Sequence, residues 1–156
     1  MIGTCIEDFI APATGGEPFR LSGRAGSALV LYFYPKDDTP GCTTEGQQFR
    51  DLYPEFTKAG AIVAGVSRDS IKSHESFKAK IGLPFELIAD TDESLCARFN
   101  VIKMKNMYGK KVRGVDRSTF LIDGMGLLVR EWRAVRVPGH VEEVLAAVRA
   151  LGARRS

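Results

Sequence analysis

Tyr34-Pro35-Lys36-Asp37-Asp38-Thr39-Pro40-Gly41-Cys42-Thr43-Thr44-Glu45 joins two different hydrophobic patterns. Before it, Leu29-Val30-Leu31-Tyr32-Phe33-Tyr34 is continuously apolar, as expected of a strand buried on both faces. After it, Phe49, Leu52, Tyr53 and Phe56 recur at helical spacing. The Pro-Gly turn therefore delivers Cys42 to the first turn of a helix that follows a central strand. Unpaired backbone N–H groups and the positive end of the helix dipole converge at such a position. Both favour thiolate over thiol, and the thiolate is the nucleophilic form of cysteine.

Outward from this stretch, strands and helices alternate. Ala61–Val66 reads as a second buried strand, with Ser67-Arg68-Asp69-Ser70 as the start of a helix running to about Ile81. Phe85–Ala89 is a short strand and Glu93–Phe99 a short helix. Thr119–Asp123 and Leu127–Trp132 flank Gly124-Met125-Gly126 as a hairpin. Val141, Val144, Leu145, Val148 and Leu151 mark one face of a closing helix. Short extended pieces are expected near Phe9 and Phe19–Leu21. Pro54 lies inside the helical pattern after Cys42 and is expected to kink or end it. This order predicts an α/β fold, with a central mixed sheet flanked by helices.

The chain has 156 residues, 44% hydrophobic and 26% charged, enough for one domain with its own core over residues 1–156. No apolar run reaches membrane-spanning length. The N-terminus lacks a basic start and an apolar signal core, so a cytoplasmic location is expected. Three cysteines, at positions 5, 42 and 96, are too few for a disulfide framework and lack the close pairs of a zinc site. A net charge of +3 calls for no nucleic-acid partner. The basic stretch Lys103–Arg113 reads as a solvated loop or strand pair.

Pro35-x-x-x-Thr39-x-x-Cys42 resembles the active-site motif of the peroxiredoxins, and the longer string FYPKDDTPGCTTE is similar to their bacterioferritin comigratory protein (PrxQ-type) branch. Val66-Ser67-Arg68-Asp69-Ser70, Asp90-Thr91-Asp92 and Arg117-Ser118-Thr119-Phe120-Leu121-Ile122-Asp123 extend the likeness over most of the chain. The resemblance implies a thioredoxin-like fold with a peroxiredoxin N-terminal extension. It implies a thiol-dependent peroxidase that reduces hydrogen peroxide and small organic hydroperoxides through a cysteine sulfenic acid, with no cofactor and no metal. Its partners would be the peroxide and a reducing thiol, from a thioredoxin or a glutathione–glutaredoxin system. No nucleic acid or membrane is involved, and the chain would be a monomer or weak dimer.

Within that chemistry Cys42 supplies the attack. The Thr39 hydroxyl and the Cys42 backbone N–H are candidate donors to the peroxide, and oriented donors can each contribute about 3 kcal/mol in a transition state. Pro35, which has no N–H, would shape and dry the pocket. By resemblance, Arg117 contacts the reactive cysteine and the peroxide, and Glu45 orients Arg117. Many PrxQ-type chains carry a second, resolving cysteine five residues after the first or in the following helix; here those positions hold Gln47 and Lys78. Cys96 is either a small buried hydrophobe or a resolving cysteine, and Cys5 lies in the N-terminal segment. An external thiol is the expected resolving partner. Two other functions compete: a disulfide exchanger, against which the lack of Cys-x-x-Cys argues, and a redox sensor without turnover. His74 and His140 lie in no recognised motif.

Overall fold

The computed structural model describes residues 1–24 and 26–153. Its centre is a five-stranded mixed sheet. β3 (Ala28–Phe33) is buried at every position, as the unbroken apolar run requires. It pairs in parallel with β4 (Ala61–Ser67), which pairs in parallel with β5 (Leu87–Ala89). On its other side β3 runs antiparallel to β8 (Ser118–Ile122), which continues antiparallel into β9 (Leu128–Trp132). The spatial order is β5-β4-β3-β8-β9. The β8–β9 turn is closed by Asp123, whose carboxylate accepts from the N–H groups of Met125 and Leu127, both at 2.9 Å.

The period-2 alternation of side chains sorts the core into two layers. Val30, Tyr32 and Tyr34 of the central strand face α1 (Pro40–Lys58), α2 (Ile71–Ile81) and α4 (His140–Ala153). Leu29, Leu31 and Phe33 face the opposite layer, where α3 (Ser94–Arg98) contributes Leu95 and Cys96 and the following Phe99 packs on Phe33 and Phe120. On the first face the Tyr32 ring lies 4.5 Å from that of Phe49. Gly65 makes this possible, since a Cβ there would sit 2.9 Å from the Tyr32 ring.

Pro54 does not end α1, which continues through it to Lys58. The ring faces outward, while Phe49 and Phe56, both fully buried, anchor the helix on either side. Burying two phenylalanines, at roughly 2 kcal/mol or more each, offsets the lost i→i−4 bond. α2 starts at Ser70, whose hydroxyl accepts from Ser73 N–H, and stops at Gly82 in the left-handed region (φ 67°). Its start lies at the end of the expected Ser67–Ser70 segment.

At the N-terminus β1 (Ile10–Ala11) and β2 (Phe19–Arg20) form a small antiparallel pair. The basic stretch forms a separate two-stranded ribbon of β6 (Ile102–Met107) and β7 (Lys110–Val115). Tyr108 and Gly109 both take positive φ at its tip, as a two-residue hairpin turn requires. Of the two readings the sequence left open there, the strand pair is the one formed. No helix among the described residues is long and apolar enough to cross a membrane.

Candidate active site

Cys42 is the third residue of α1 and is 2% exposed. Pro40 begins the helix, a position where a missing N–H costs nothing. Thr39 is the N-cap residue, yet its side chain makes no capping bond. Its hydroxyl instead donates to the Lys36 carbonyl at 2.8 Å. That bond spends the proton, so the Thr39 oxygen presents lone pairs rather than the donor expected from the sequence. It also leaves the first-turn N–H groups of Gly41 and Cys42 free of a side-chain cap. Pro35 is half-buried in the loop between β3 and α1.

The β3–β8 register brings in the arginine. Phe33 pairs with Ser118, so one step further sets Arg117 beside Tyr34. Alternation then gives Arg117 the same face as Thr119, toward α1. Its Nη2 lies 3.4 Å from Cys42 Sγ, and its Nη1 donates to Glu45 Oε1 at 2.6 Å. The backbone is fixed from behind, because Val135 N–H donates to the Arg117 carbonyl at 3.0 Å. Burial opposes the guanidinium charge, but Glu45 and Cys42 outweigh it and hold Arg117 more firmly protonated than usual. Glu45 is fully buried, and desolvation pushes its carboxyl from the ordinary 4.5 to about 7 despite Arg117. Its second oxygen, Oε2, is buried without a partner. Sequence, helix start and strand register thus bring Cys42, Glu45 and Arg117 together, with Thr39 and Pro35 on the adjoining loop.

The loop itself rests on a buried polar cluster. Tyr34 OH donates to Asp37 Oδ1 at 2.6 Å, and Ser73 OH donates to Asp37 Oδ2 at 2.8 Å. His74 Nδ1 shares a proton with Asp37 Oδ2 at 2.7 Å, while its Nε2 donates to the Ile88 carbonyl at 2.9 Å. Asp37 N–H donates to Asp69. Burial alone would raise Asp37, but the bonds from His74, Tyr34 and Ser73 outweigh it and hold the carboxyl below its ordinary 3.8. Asp37, Asp69 and His74 are close enough together to share a metal ion. Their donor atoms are already committed to one another, to Ser67 and Ser73, and to the Ile88 carbonyl, which suits a structural tie between loop and α2.

The AhpC/TSA family model matches residues 2–130. The chain belongs to that family. Peroxiredoxin Bcp of Xanthomonas campestris is 58% identical over 137 residues, covering 88% of this chain and 86% of its own. Peroxiredoxin Bcp of Bacillus subtilis is 46% identical over 148 residues, covering 95% and 94%. A cysteine-to-serine mutant of Xylella fastidiosa PrxQ superposes with a TM-score of 0.91 at 48% identity, covering 96% of both chains. A bacterioferritin comigratory protein of Xanthomonas campestris, described for its alkyl peroxide reduction activity, superposes at 0.87 with 55% identity, covering 92% of both. The fold is the thioredoxin-like fold of the peroxiredoxins, and the branch is Bcp (PrxQ-type). As a peroxiredoxin the chain is a thiol-dependent peroxidase.

Neither of the two positions at which the resemblance leads one to expect a resolving cysteine holds one here. All three cysteines are free. Gln47 is half-buried on α1. Lys78 on α2 donates to Glu86 Oε1 at 2.6 Å, and Thr14 OH donates to Glu86 Oε2 at 2.6 Å. Burial would raise Glu86, yet these bonds hold it below its usual value. Lys78, expected to stand in the place of a resolving cysteine, is therefore an ion-paired tie from α2 to the residue before β5. Cys96 lies in the core layer on the far side of the sheet from Cys42. Its N–H donates to Asp90 Oδ2 at 2.8 Å, and burial, reinforced by its own bond to Asp90, keeps the thiol strongly protonated. The structure does not bring Cys96 to Cys42.

Four residues that shape the site carry no signal that the sequence reading used. A Cβ on Gly41 would lie 3.1 Å from Arg117 Nη2, so the glycine admits the guanidinium. The Pro-Gly pair before Cys42 was a visible signal, read only as a turn. His74 and Asp37 fix the loop, and no local spacing connects residues 37 positions apart. His140 shares a 2.8 Å hydrogen bond with Thr119, and burial lowers it to about 4, so it faces Arg117's strand as a neutral ring.

Proposed function

We propose that Cys42 is the peroxidatic nucleophile, acting on hydrogen peroxide and small organic hydroperoxides. The observation that supports this most strongly is the 3.4 Å contact between Cys42 Sγ and Arg117 Nη2 at an uncapped helix start. The thiolate attacks the terminal peroxide oxygen; the S–O bond forms as the O–O bond breaks, and alkoxide or hydroxide departs. Arg117 and the first-turn N–H groups face the charge that develops, where preorganised donors are most effective. The Thr39 oxygen accepts from the peroxide O–H and orients it. Pro35 narrows the approach, and Glu45 holds the far side of the guanidinium.

Resolution then uses an external thiol. It attacks the sulfenic sulfur, a mixed disulfide forms and water leaves; a second thiol releases the reduced enzyme. The tie of Lys78 to Glu86, the amide at Gln47 and the sheet between Cys42 and Cys96 all favour this one-cysteine cycle. A glutathione–glutaredoxin or thioredoxin system in the cytoplasm would supply the thiol, a setting that suits three free cysteines. Steady-state peroxide consumption with each reductant is the test. Turnover with either, abolished in Cys42→Ser, is expected; oxidation without turnover under every reductant would make the chain a sensor instead.

A further inference from the structure

Arg117 is one cation between two acids. Its Nη2 faces Cys42 Sγ at 3.4 Å and its Nη1 meets Glu45 Oε1 at 2.6 Å. Cys42 and Glu45 are stacked one turn apart on α1, both buried. The groups facing them are Arg117, just before β8, and Tyr32 from β3, whose hydroxyl is held neutral by burial and then by the nearby Glu45 and Cys42. His140 of α4 feels the Arg117 charge and stays uncharged. Arg117 is thus the only cation whose influence reaches both acids among the described residues.

With both acids ionised this pocket would carry a net charge of about −1, and with neither about +1; a buried site disfavours both. One anion at a time is neutral. Glu45 Oε2 bears on the choice independently of charge counting. It is buried and receives no hydrogen bond, a costly state for a carboxylate oxygen and a cheaper one for a neutral carboxyl. In the reduced enzyme the thiolate is the natural partner of Arg117. Once sulfur becomes a neutral sulfenic acid, Glu45 is the remaining acid within reach.

We propose that Arg117 serves two anions in turn, the Cys42 thiolate before peroxide reduction and the Glu45 carboxylate after it, so that Glu45 releases a proton as Cys42 is oxidised. The step balances as Cys42–S⁻ + ROOH + Glu45–COOH → Cys42–SOH + ROH + Glu45–COO⁻. Sulfur is oxidised by two electrons, the peroxide is reduced, and the proton gained by the alkoxide matches the one Glu45 loses. Where Glu45 gives up its proton, none is drawn from bulk solvent. Glu45 is a positioning residue here, acting through Arg117, and the inference rests on the peroxidatic role of Cys42.

The test is a single-turnover proton count. Reduced protein is mixed with one equivalent of hydrogen peroxide in weakly buffered solution with a pH-indicator dye, while thiolate absorbance and Cys42 oxidation are followed together. At roughly pH 6, below the Glu45 value of about 7 set by burial and Arg117, Glu45 keeps its proton before and after oxidation, and the wild-type should take up about one proton per Cys42 oxidised. Above pH 7, where a neighbouring thiolate is what still holds the Glu45 proton, the uptake should fall toward zero as Glu45 supplies the proton in place of solvent. Glu45→Gln, whose amide oxygen still accepts from Arg117, should take up about one proton at every pH. A wild-type count that does not change with pH, or that changes only with the thiolate absorbance, would overturn the inference, as would equal counts in the two proteins above pH 7. Oxygen appearing on a residue other than Cys42 would instead sink the underlying assignment of the nucleophile.

Discussion

Gly41 and Arg117 are in contact across the helix start: a Cβ added to Gly41 would stand 3.1 Å from Nη2, the same nitrogen that faces Cys42 Sγ. The guanidinium occupies space that any other residue would fill. Gly41→Ala should therefore push Arg117 away by a few tenths of an ångström and slow Cys42 oxidation roughly three- to tenfold, since small misplacements at a reacting centre are costly. Its unfolding midpoint should stay near that of the wild-type, because Gly41 already has helical backbone. Rapid-mixing measurement of sulfenic acid formation, beside a urea titration, separates the two effects.

Removing the arginine itself should cost more. Arg117→Ala is expected to slow the first oxidation at least about tenfold, equivalent to roughly 1.4 kcal/mol of transition-state stabilisation. Arg117→Lys should recover only part of this. An ammonium is a point charge and does not reach Cys42 and Glu45 through two separate nitrogens. An unchanged rate in Arg117→Ala would make the arginine a structural partner of Glu45 alone.

The Asp37–His74 tie should appear in stability as well as rate. His74→Leu leaves the buried Asp37 without its imidazole partner, and breaking a buried pair of this kind costs about 3 kcal/mol or more. Because Asp37 is held below its ordinary 3.8, its contribution is complete above that value and is lost as pH falls through the lower folded value. Acid denaturation of the wild-type should include this loss, and Asp37→Asn should weaken it. Urea unfolding between neutral and acid pH measures both.

Glu45 has the opposite sign. Its carboxyl is raised from 4.5 to about 7, so the folded state binds the proton more tightly than the unfolded chain. Its contribution to stability is greatest below about pH 4.5, falls as pH rises toward 7, and changes no further above that. Glu45→Gln should flatten this part of the stability profile. A wild-type profile already flat over that interval would contradict a buried carboxyl at this position.

The legibility of the chain followed the range of the interactions. Ala28–Phe33 was evident because a strand buried on both faces needs an unbroken apolar run, and α4 because its apolar residues repeat at one period. Cys42 and Thr39 stood out because one loop and one helical turn carry them, whereas Glu45 was singled out through family resemblance. Arg117 was identified only through family resemblance; its contact with Cys42 depends on the β3–β8 register, which no local pattern encodes. Pro54 misled because its local effect is real but weaker than the burial of Phe49 and Phe56. Gly41, His74 and His140 escaped because their roles are contacts with residues distant in sequence. Cys96 needed the sheet's two faces before its separation from Cys42 became visible.

The most direct test of Cys42 as the nucleophile of a one-cysteine cycle is peptide mapping of the reduced protein after one equivalent of hydrogen peroxide, under non-reducing conditions and without added thiol. The Cys42 peptide should carry one added oxygen, trapped by a sulfenic-acid reagent, and excess peroxide should drive it to the sulfinic acid with Cys96 still free. A stoichiometric Cys42–Cys96 disulfide, or oxygen on Cys5 or Cys96 with Cys42 unmodified, would contradict the account.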